Sequence, residues 1–429
     1  MGKKKNKNKN NPFYDPSLNK RHASARRFKR FTLTSLIFSI AFLAFFLVDI
    51  VGKGMPAFQV AYINLDVTYS KKTVKIYTKA VDRKYRKLAS RAWLRDIRNI
   101  VKEHPELMDT TTASWVLADD QVDQYLKGHH HTLKPKHIAM VEQMKADGKI
   151  EMRFNSIFFT RGDSKIPEFA GLSSAIVGSI LTLLVTMVVA FPIGVMTAIY
   201  LEEFAGDNKF TRFIEVNINN LAAIPSILFG LLGLAVFINL FGMPRSSPLV
   251  GGLTLALMTL PIIIVSSRAA LRAVPDSIRQ AGYGLGLSKI EVTRDHVLPL
   301  AFPGVLTGSI IGLAQAMGET APLIIIGMIA FIPDSPTSIM DAATVMPAQI
   351  FTWAGMPEQM YIEKTAAGIM VLLTVLISLN TLAIYLRKKF EVKWWEAKKA
   401  NCFAFLASER ETLCEERTLA RAGLMKGLN

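Results

Sequence analysis

A polar stretch from Arg268 to Pro299 lies between two long apolar runs and has the spacing of an ordered helical turn. Pro275-Asp276-Ser277 is a helix-start signal, and Gly286 suits the left-handed residue that ends a helix. Ser288 and Glu291 form a capping box, which starts a second helix. We therefore predict helix, glycine bend and helix, a rigid knob that transmits force to a soluble partner. The alternative is a plain linker between two membrane spans.

The string Gly282–Lys289 resembles a glycine-rich phosphate loop at first sight. A P-loop needs Gly-Lys-Ser/Thr in succession, whereas the order here is Leu287-Ser288-Lys289-Ile290. This string is therefore not a P-loop, and no P-loop occurs elsewhere in the sequence. We expect ATP to be bound by a separate subunit.

A carboxylate stands inside an apolar run at Glu319, between Gly318 and Thr320. An ionisable residue in a membrane segment is costly, so it usually faces a pathway or a partner. In another apolar run, Pro225 frees backbone carbonyls and Ser226 offers a hydroxyl. We predict that these five residues line a translocation pathway. The alternatives are a protonated Glu319 bonded to Thr320 or the backbone, and plain helix bending and packing for the others.

The composition indicates an integral membrane protein with sizeable aqueous parts. The chain has 429 residues, a formal net charge of +17 and a mean hydropathy of +0.27, with 50% hydrophobic and 20% charged residues. Its apolar residues must therefore be concentrated in blocks. Basic residues flank these blocks, which is the orientation signal of membrane proteins and argues against nucleic-acid binding. Cys402 and Cys414 form no zinc pattern, and the histidines at 129–131 and 137 lack ligand partners at a metal-site spacing, so we expect no metal.

Six segments are long and apolar enough to span a membrane, which takes roughly 20 residues per helix. They are Phe31–Val51, Ser174–Tyr200, Ile218–Phe241, Leu249–Val265, Gly304–Phe331 and Ala366–Leu386. Basic clusters precede the first span and follow the last, so an even number of spans places both termini in the cytoplasm. The first span has a long basic lead-in and no convincing cleavage site, so we expect an uncleaved anchor.

The predicted fold class is an all-α polytopic membrane protein with an α+β extracytoplasmic domain between its first two spans. We expect a basic cytoplasmic N-terminus (1–30), the anchor (31–51), the extracytoplasmic domain (52–171), a helical core (172–388) with the cytoplasmic loop 268–299, and a cytoplasmic tail (389–429). Within the extracytoplasmic domain, Ala61–Tyr77 is typical of β structure, and Arg83–Glu103 and His137–Asp147 are typical of helices.

The loop 268–299 resembles the EAA loop, the coupling helix of permease subunits in ABC importers. The resemblance rests on the spacing of Gln280-Ala281-Gly282, Gly286 and Leu298-Pro299; Gln280, Gly282 and His296 differ from the usual pattern. In that family the loop sits in a groove of the ATPase subunit. The resemblance therefore implies that these residues, with Ser288, form an ATPase-coupling loop.

Three further strings are similar to those of PstA-type phosphate permeases. They are Gly178-Ser179 with the motif ending at Glu202, Ile224-Pro225-Ser226-Ile227 with Phe229-Gly230, and Met317-Gly318-Glu319-Thr320-Ala321-Pro322-Leu323. The resemblance covers 174–388, and the long insertion after the first span fits a subset of that family with an enlarged external domain.

This resemblance implies the type I ABC importer permease fold, with six transmembrane helices in a bacterial inner membrane. The chain would be a transport subunit of a phosphate importer, not an enzyme, and would bind no cofactor because ATP and Mg belong to the partner ATPase. The implied partners are a PstC-like second permease subunit, an ATPase dimer at the cytoplasmic face, an extracytoplasmic phosphate-binding protein and membrane lipid.

Under this resemblance Glu319 has two interpretations, because a carboxylate repels a phosphate anion. It pairs with an arginine of a partner subunit, or it accepts a hydrogen bond from the proton that phosphate carries and sulfate lacks. Relatives often carry a basic residue where Gln315 stands, which favours a partner in trans. Two functional alternatives remain: a permease for sulfate, molybdate or phosphonate, and a membrane-anchored sensor or scaffold.

Overall fold

The computed structural model describes residues 18–329, 331–385 and 387–388. The lysines between positions 3 and 9 and the predicted tail from 389, with its two cysteines, lie outside these described residues. The N-terminal anchor is helix α1, Leu18–Gly54, and the apolar window of this helix is exposed along its whole length.

A three-stranded antiparallel sheet, ordered β2-β1-β3, forms the centre of the domain between the first two spanning helices. The strands are β1 (Gln59–Thr68), β2 (Thr111–Leu117) and β3 (Ile150–Phe154). Ala61, Ile63, Leu65 and Val67 alternate along β1 and are buried. This period of two places one face of the strand against the domain core.

Five short helices complete this domain: α2 (Lys71–Lys75), α3 (Arg91–Glu103), α4 (Asp120–Leu126), α5 (Pro135–Ala146) and α6 (Ile157–Thr160). Leu94, Ile97 and Val101 recur at helical spacing on α3 and pack into the core. The α+β class is as predicted, but two boundaries are wrong. The β segment ends at Thr68 because Ser70 caps α2, and the helix predicted from Arg83 begins only after the cap at Ser90.

Helices α7, α10 and α13 form the centre of the membrane core, with α10 packed against both others. The long helices are α7 (Ser173–Ile199), α10 (Pro248–Arg272), α13 (Leu298–Gly318) and α16 (Gln359–Tyr385). A bent pair adds α8 (Lys209–Ala222) and α9 (Ser226–Gly233, continued by a π-helical segment to Leu240). In the described part of the chain five helices could cross a membrane, or six if the bent pair is one span. The predicted count of six matches the second case.

Two of the predicted spans differ in shape from the expectation. The third, Ile218–Phe241, bends by 102° between α8 and α9 at Pro225. The fifth, Gly304–Phe331, ends as a long helix at Gly318, and the short helix α14 (Ala321–Ile325) follows. The ring of Pro322 would clash with the carbonyl four residues earlier, which is that of Gly318, and proline cannot donate to it.

The prolines of the apolar segments therefore act in two ways. Pro225 and Pro322 lie at breaks, whereas Pro192 and Pro261 lie inside the continuous helices α7 and α10. Neighbouring helices in the packed core can tolerate the hydrogen bond that each of the latter two prolines removes.

Three further helices complete the described chain. They are α11 (Asp276–Gly284), α12 (Lys289–Val292), which continues through a π-helical turn into α13, and α15 (Met346–Ala354).

Candidate functional site

The predicted knob is confirmed as a helix, a glycine bend and a second helix. Gly286 follows α11 with a φ of 82°, in the left-handed region. Its N–H donates to the carbonyl of Tyr283 over 2.9 Å, and the N–H of Leu287 donates to that of Gly282 over 3.2 Å. These two bonds define a Schellman motif, which favours glycine at the left-handed position.

The capping box and a close helix contact fix the second half of the knob. The N–H of Ser288 donates to Glu291 Oε2 over 2.8 Å, and the N–H of Glu291 donates to Ser288 Oγ over 3.4 Å. Gly282 is buried, and a Cβ on it would lie 2.7 Å from Val292 Cγ2. The helices α11 and α12 therefore pack with no space for a larger residue at 282.

The tip of the knob presents apolar side chains to solvent. Leu285 is 80% exposed and Ile290 is 64% exposed, and Gln280 and Ala281 are exposed beside them. Exposed apolar side chains outside a membrane core suit a docking surface, and the role of this tip as an ATPase-coupling surface stays a prediction. At the base of the knob, Leu298 and Pro299 are half-buried at the start of α13.

A buried ion pair joins the knob to the π-helical turn Tyr200–Phe204, which continues α7. Arg279 Nη2 donates to Glu203 Oε1 over 2.7 Å and to the carbonyl of Leu271 over 2.9 Å, while Nη1 donates to the carbonyl of Val274 over 2.7 Å. The Glu203 side chain is only 5% exposed. Its hydrogen bond raises the pKa of Arg279, so this arginine stays charged. A displacement of α11 must therefore move the end of α7 as well.

Two more arginines connect the neighbouring helices on the same side. Arg268 donates to Glu215 of α8 over 2.5 Å and to Glu202 over 3.3 Å, and Arg272 donates to Glu202 over 2.7 Å. The sequence does not predict these pairs, because the arginines count there only as orientation charges. One sequence signal could have indicated these ion pairs. Glu202 and Glu203 are adjacent at the end of an apolar span, on the side of the membrane where the arginines are concentrated.

Glu319 lies at the break that follows α13, with an extended backbone at φ −75° and ψ 127°. It is half-buried, and its N–H donates to the carbonyl of Ala316 over 3.3 Å. Among the residues that the structure describes, its carboxylate accepts no hydrogen bond and makes no ion pair. The alternative in which Thr320 or the backbone satisfies this carboxylate therefore finds no support.

Both breaks in the apolar segments are brought together by the contact of α9 with α14. A Cβ on Gly230 would lie 2.7 Å from the Cα of Pro322 and 2.8 Å from its carbonyl oxygen. Glycine at 230 thus lets the two backbones touch.

The predicted pathway residues flank these two breaks. Pro225 and Ser226 begin α9, Gly318 ends α13, and Thr320 is the N-cap residue of α14. That Glu319 and these four residues line a pathway stays a prediction.

The domain between α1 and α7 is held on α16 by buried polar contacts of Glu363 and Lys364, which we call the α16 seat. Lys364 Nζ donates to the carbonyls of Pro167 and Ala170, both over 2.5 Å. Glu363 contacts Lys127 Nζ at 3.2 Å and His129 Nδ1 at 2.7 Å. His129 therefore belongs to an ion-pair cluster, and no group of metal-binding side chains occurs in the described residues. The sequence pattern does not predict this seat.

We expect Asp119 to make the stability of this domain depend on pH. Its Oδ1 accepts from the N–H of Gln121, and burial raises its pKa to about 8 from an ordinary value of 3.8, with the charges of Asp120 and Glu168 acting in the same direction. Between these values the folded state holds more protons than the unfolded chain, so stability falls as pH rises through the window. Asp119→Asn keeps the capping oxygen and should make the decline of Tm shallower. The exposed Asp66→Asn should decline like wild type; a wild-type slope for Asp119→Asn would contradict the assignment.

The match to a family model indicates a class of protein, the membrane subunit of a binding-protein-dependent transport system. The family described as binding-protein-dependent transport system inner membrane component matches residues 190–392, and a domain of unknown function (DUF3333) matches residues 15–84 and 70–135.

Curated relatives narrow this class. The phosphate transport system permease protein PstA 1 of Mycobacterium tuberculosis (strain CDC 1551 / Oshkosh) is 31% identical over 225 residues, which are 52% of this chain and 73% of that protein. The chain belongs to the PstA family of ABC importer permeases. PstA of Mycobacterium leprae is 37% identical over 160 residues, 37% of this chain and 52% of that protein, so the chain spans about half the length of this relative.

Among solved structures, an inward-facing MetNI methionine ABC transporter is 16% identical, with a TM-score of 0.40, and the match covers 50% of this chain and 94% of that chain. The fold assignment rests on the family match and on the apolar helices of the multi-pass core.

Proposed function

We propose that this chain is a permease subunit of an ATP-driven importer of inorganic phosphate. The names of its PstA relatives support the choice of substrate. The observation that carries the proposal is the knob, because its tip is exposed and apolar while its base is tied to α7 through Arg279 and Glu203. A soluble ATPase that grips the tip can therefore move a membrane helix.

In this mechanism the chain binds no nucleotide and supplies no cofactor. ATP and Mg are bound by an ATPase dimer at the cytoplasmic face, and closure of that dimer displaces the knob formed by α11 and α12. The ion pair passes the displacement to α7, while the continuous helix from α12 into α13 passes it to the end of α13. Gly318, Glu319 and Thr320 lie at that end, so the same movement rearranges the predicted pathway.

The proposed assembly contains a PstC-like second permease subunit and an extracytoplasmic phosphate-binding protein. Both termini lie in the cytoplasm, and the domain between α1 and α7 faces outward. We keep the domain boundaries 1–30, 31–51, 52–171, 172–388 and 389–429 as part of this proposal. The basic residues at the helix ends near the knob agree with this orientation.

Glu319→Gln should reduce phosphate uptake at least about tenfold, the effect of losing roughly 1.4 kcal/mol of transition-state stabilisation. The charged oxygen that pairs with an arginine, or that accepts the proton of phosphate, is absent from glutamine. The measurement is radiolabelled phosphate uptake in cells that lack this chain, complemented at matched membrane abundance. The exposed Asp334→Asn is the isosteric control and should transport like wild type.

Competition experiments in the same cells distinguish the two proposed roles of Glu319, and they also distinguish phosphate from the alternative substrates. If Glu319 accepts the proton of phosphate, sulfate should compete better against phosphate in the glutamine variant. If it pairs with an arginine, uptake should fall with no change in competition. Wild-type uptake by Glu319→Gln would make the residue a structural carboxyl. If the wild type took up sulfate, molybdate or phosphonate in place of phosphate, the assignment of phosphate as the substrate would be wrong.

A further inference from the structure

One cavity of the extracytoplasmic domain has a lining that is almost wholly basic. Its volume is about 500 Å³, and apart from Met140 its lining consists of Arg83, Lys84, Arg86, Lys87, Lys136 and His137. We call it the basic cavity. Among the residues that the structure describes, no carboxylate lines it, and none of its lysines or arginines makes an ion pair. Like charges at this density repel one another, and this cost is removed when an anion binds.

Arg86 gives stronger evidence for a bound anion than the other basic residues of the cavity do. It lines the basic cavity and two adjoining cavities of about 700 and 490 Å³. Its Nε is buried and has no hydrogen-bond partner within the described part of the chain. A buried guanidinium N–H without an acceptor is costly, since its hydration is lost and not replaced. An oxyanion in the cavity would lie beside this guanidinium, and its negative charge would offset the cost.

The helix α5 adds a third feature, which is independent of Arg86. Its first turn has no acidic residue, and it carries Lys136 and His137 instead. Cations at a helix N-terminus are unfavourable, because the macrodipole is positive at this end. The N-cap residue Lys134 makes no capping bond through its side chain. An anion beside this turn would be attracted by the positive end of the dipole and by the two basic side chains, and would offset their repulsion.

The adjoining cavities do not share this chemistry. Asp66, Asp82 and Asp147 line the largest one, and Asp119 lines the other. Their carboxylates would repel an anion, whereas the basic cavity offers guanidinium forks and ammonium groups alone. Arginine and lysine in this combination suit the oxygens of a phosphate group.

We propose that the basic cavity is a second anion site, which binds a phosphate group outside the translocation pathway. The source of this group is free inorganic phosphate or the headgroup of an anionic phospholipid. Only the side of the membrane that this site faces rests on the proposed function. Anion binding itself can be measured without transport.

The test uses the purified full chain in nanodiscs of neutral lipid, with radiolabelled inorganic phosphate as the probe at low ionic strength. Lys84→Gln/Lys136→Gln should weaken binding at least tenfold, and Arg86→Gln should do the same. Both lysines are exposed, so the double variant should fold normally, which circular dichroism checks. Lys71→Gln/Lys102→Gln removes the same charge from exposed positions outside the three cavities and should bind like wild type.

A second arm replaces part of the neutral lipid with an anionic phospholipid. If free phosphate is the occupant, binding should persist. If the headgroup is the occupant, the lipid should displace phosphate from wild type, and co-purification of the lipid should fall in Lys84→Gln/Lys136→Gln. Equal phosphate binding by the wild type and both cavity variants would overturn the proposal. Absence of both phosphate and lipid binding in wild type would also overturn it.

Discussion

Gly286→Pro is expected to reduce phosphate uptake to background while the protein still inserts into the membrane. The φ of Gly286 is 82°, whereas proline is fixed near −65° and has no N–H to donate to the Tyr283 carbonyl. The bend between α11 and α12 must therefore open, and the exposed tip of the knob would no longer match the surface of the ATPase. The measurement is radiolabelled uptake in complemented cells at matched membrane abundance.

A nearby glycine supplies the control for this change. Gly284 lies in α11 without a positive φ, and a Cβ on it would meet nothing within 4 Å. Gly284→Ala should therefore keep uptake near that of wild type, since alanine favours a helix by about 1 kcal/mol over glycine. Gly286→Ala should fall between the two, because the left-handed region costs alanine roughly 1–2 kcal/mol. Normal uptake by Gly286→Pro would rule out the knob as the coupling element.

Arg279→Met is expected to uncouple the knob from α7. The Glu203 carboxylate would remain buried without its partner, at a cost of about 3–5 kcal/mol for a broken buried pair. The carbonyls of Leu271 and Val274 would lose a donor as well. We expect uptake to fall more than tenfold, with ATP hydrolysis by the purified complex less affected than uptake.

Arg272 offers a matched comparison for this change on the same side of the protein. It pairs with Glu202 at 2.7 Å, yet its own side chain is 62% exposed. An exposed pair contributes about 0–1 kcal/mol, so Arg272→Met should transport nearly as well as wild type. Equal losses in Arg272→Met and Arg279→Met would indicate a general charge effect instead of a mechanical link.

Local features of this chain could be predicted because their signals are local. The knob is encoded by a proline, a glycine and a capping box within a short stretch, and each spanning helix is encoded by its own apolar run. The six-span count and the α+β domain follow from such patterns. The break at Glu319 is only partly predictable, since Pro322 cannot donate to the Gly318 carbonyl, yet Pro192 and Pro261 lie inside continuous helices.

Long-range pairs could not be predicted in the same way. Arg279 and Glu203 are 76 positions apart, and nothing in their neighbours selects one glutamate over another. The strand β3 pairs with β1 although Ile150–Phe154 is short and only partly buried. The 102° bend at Pro225 has the same origin, because proline permits a kink while packing against α14 decides its direction.

The α16 seat has a consequence for the order in which the protein matures. Lys364 binds the carbonyl of Pro167, which precedes it by 197 positions, and Glu363 binds Lys127, which precedes it by 236. At about 5–20 residues per second, the ribosome needs roughly 10–50 seconds to translate the intervening chain. The domain between α1 and α7 therefore acquires these buried partners only after α16 has been translated. A chain truncated before α16 would leave Lys127 and the carbonyls of Pro167 and Ala170 without them.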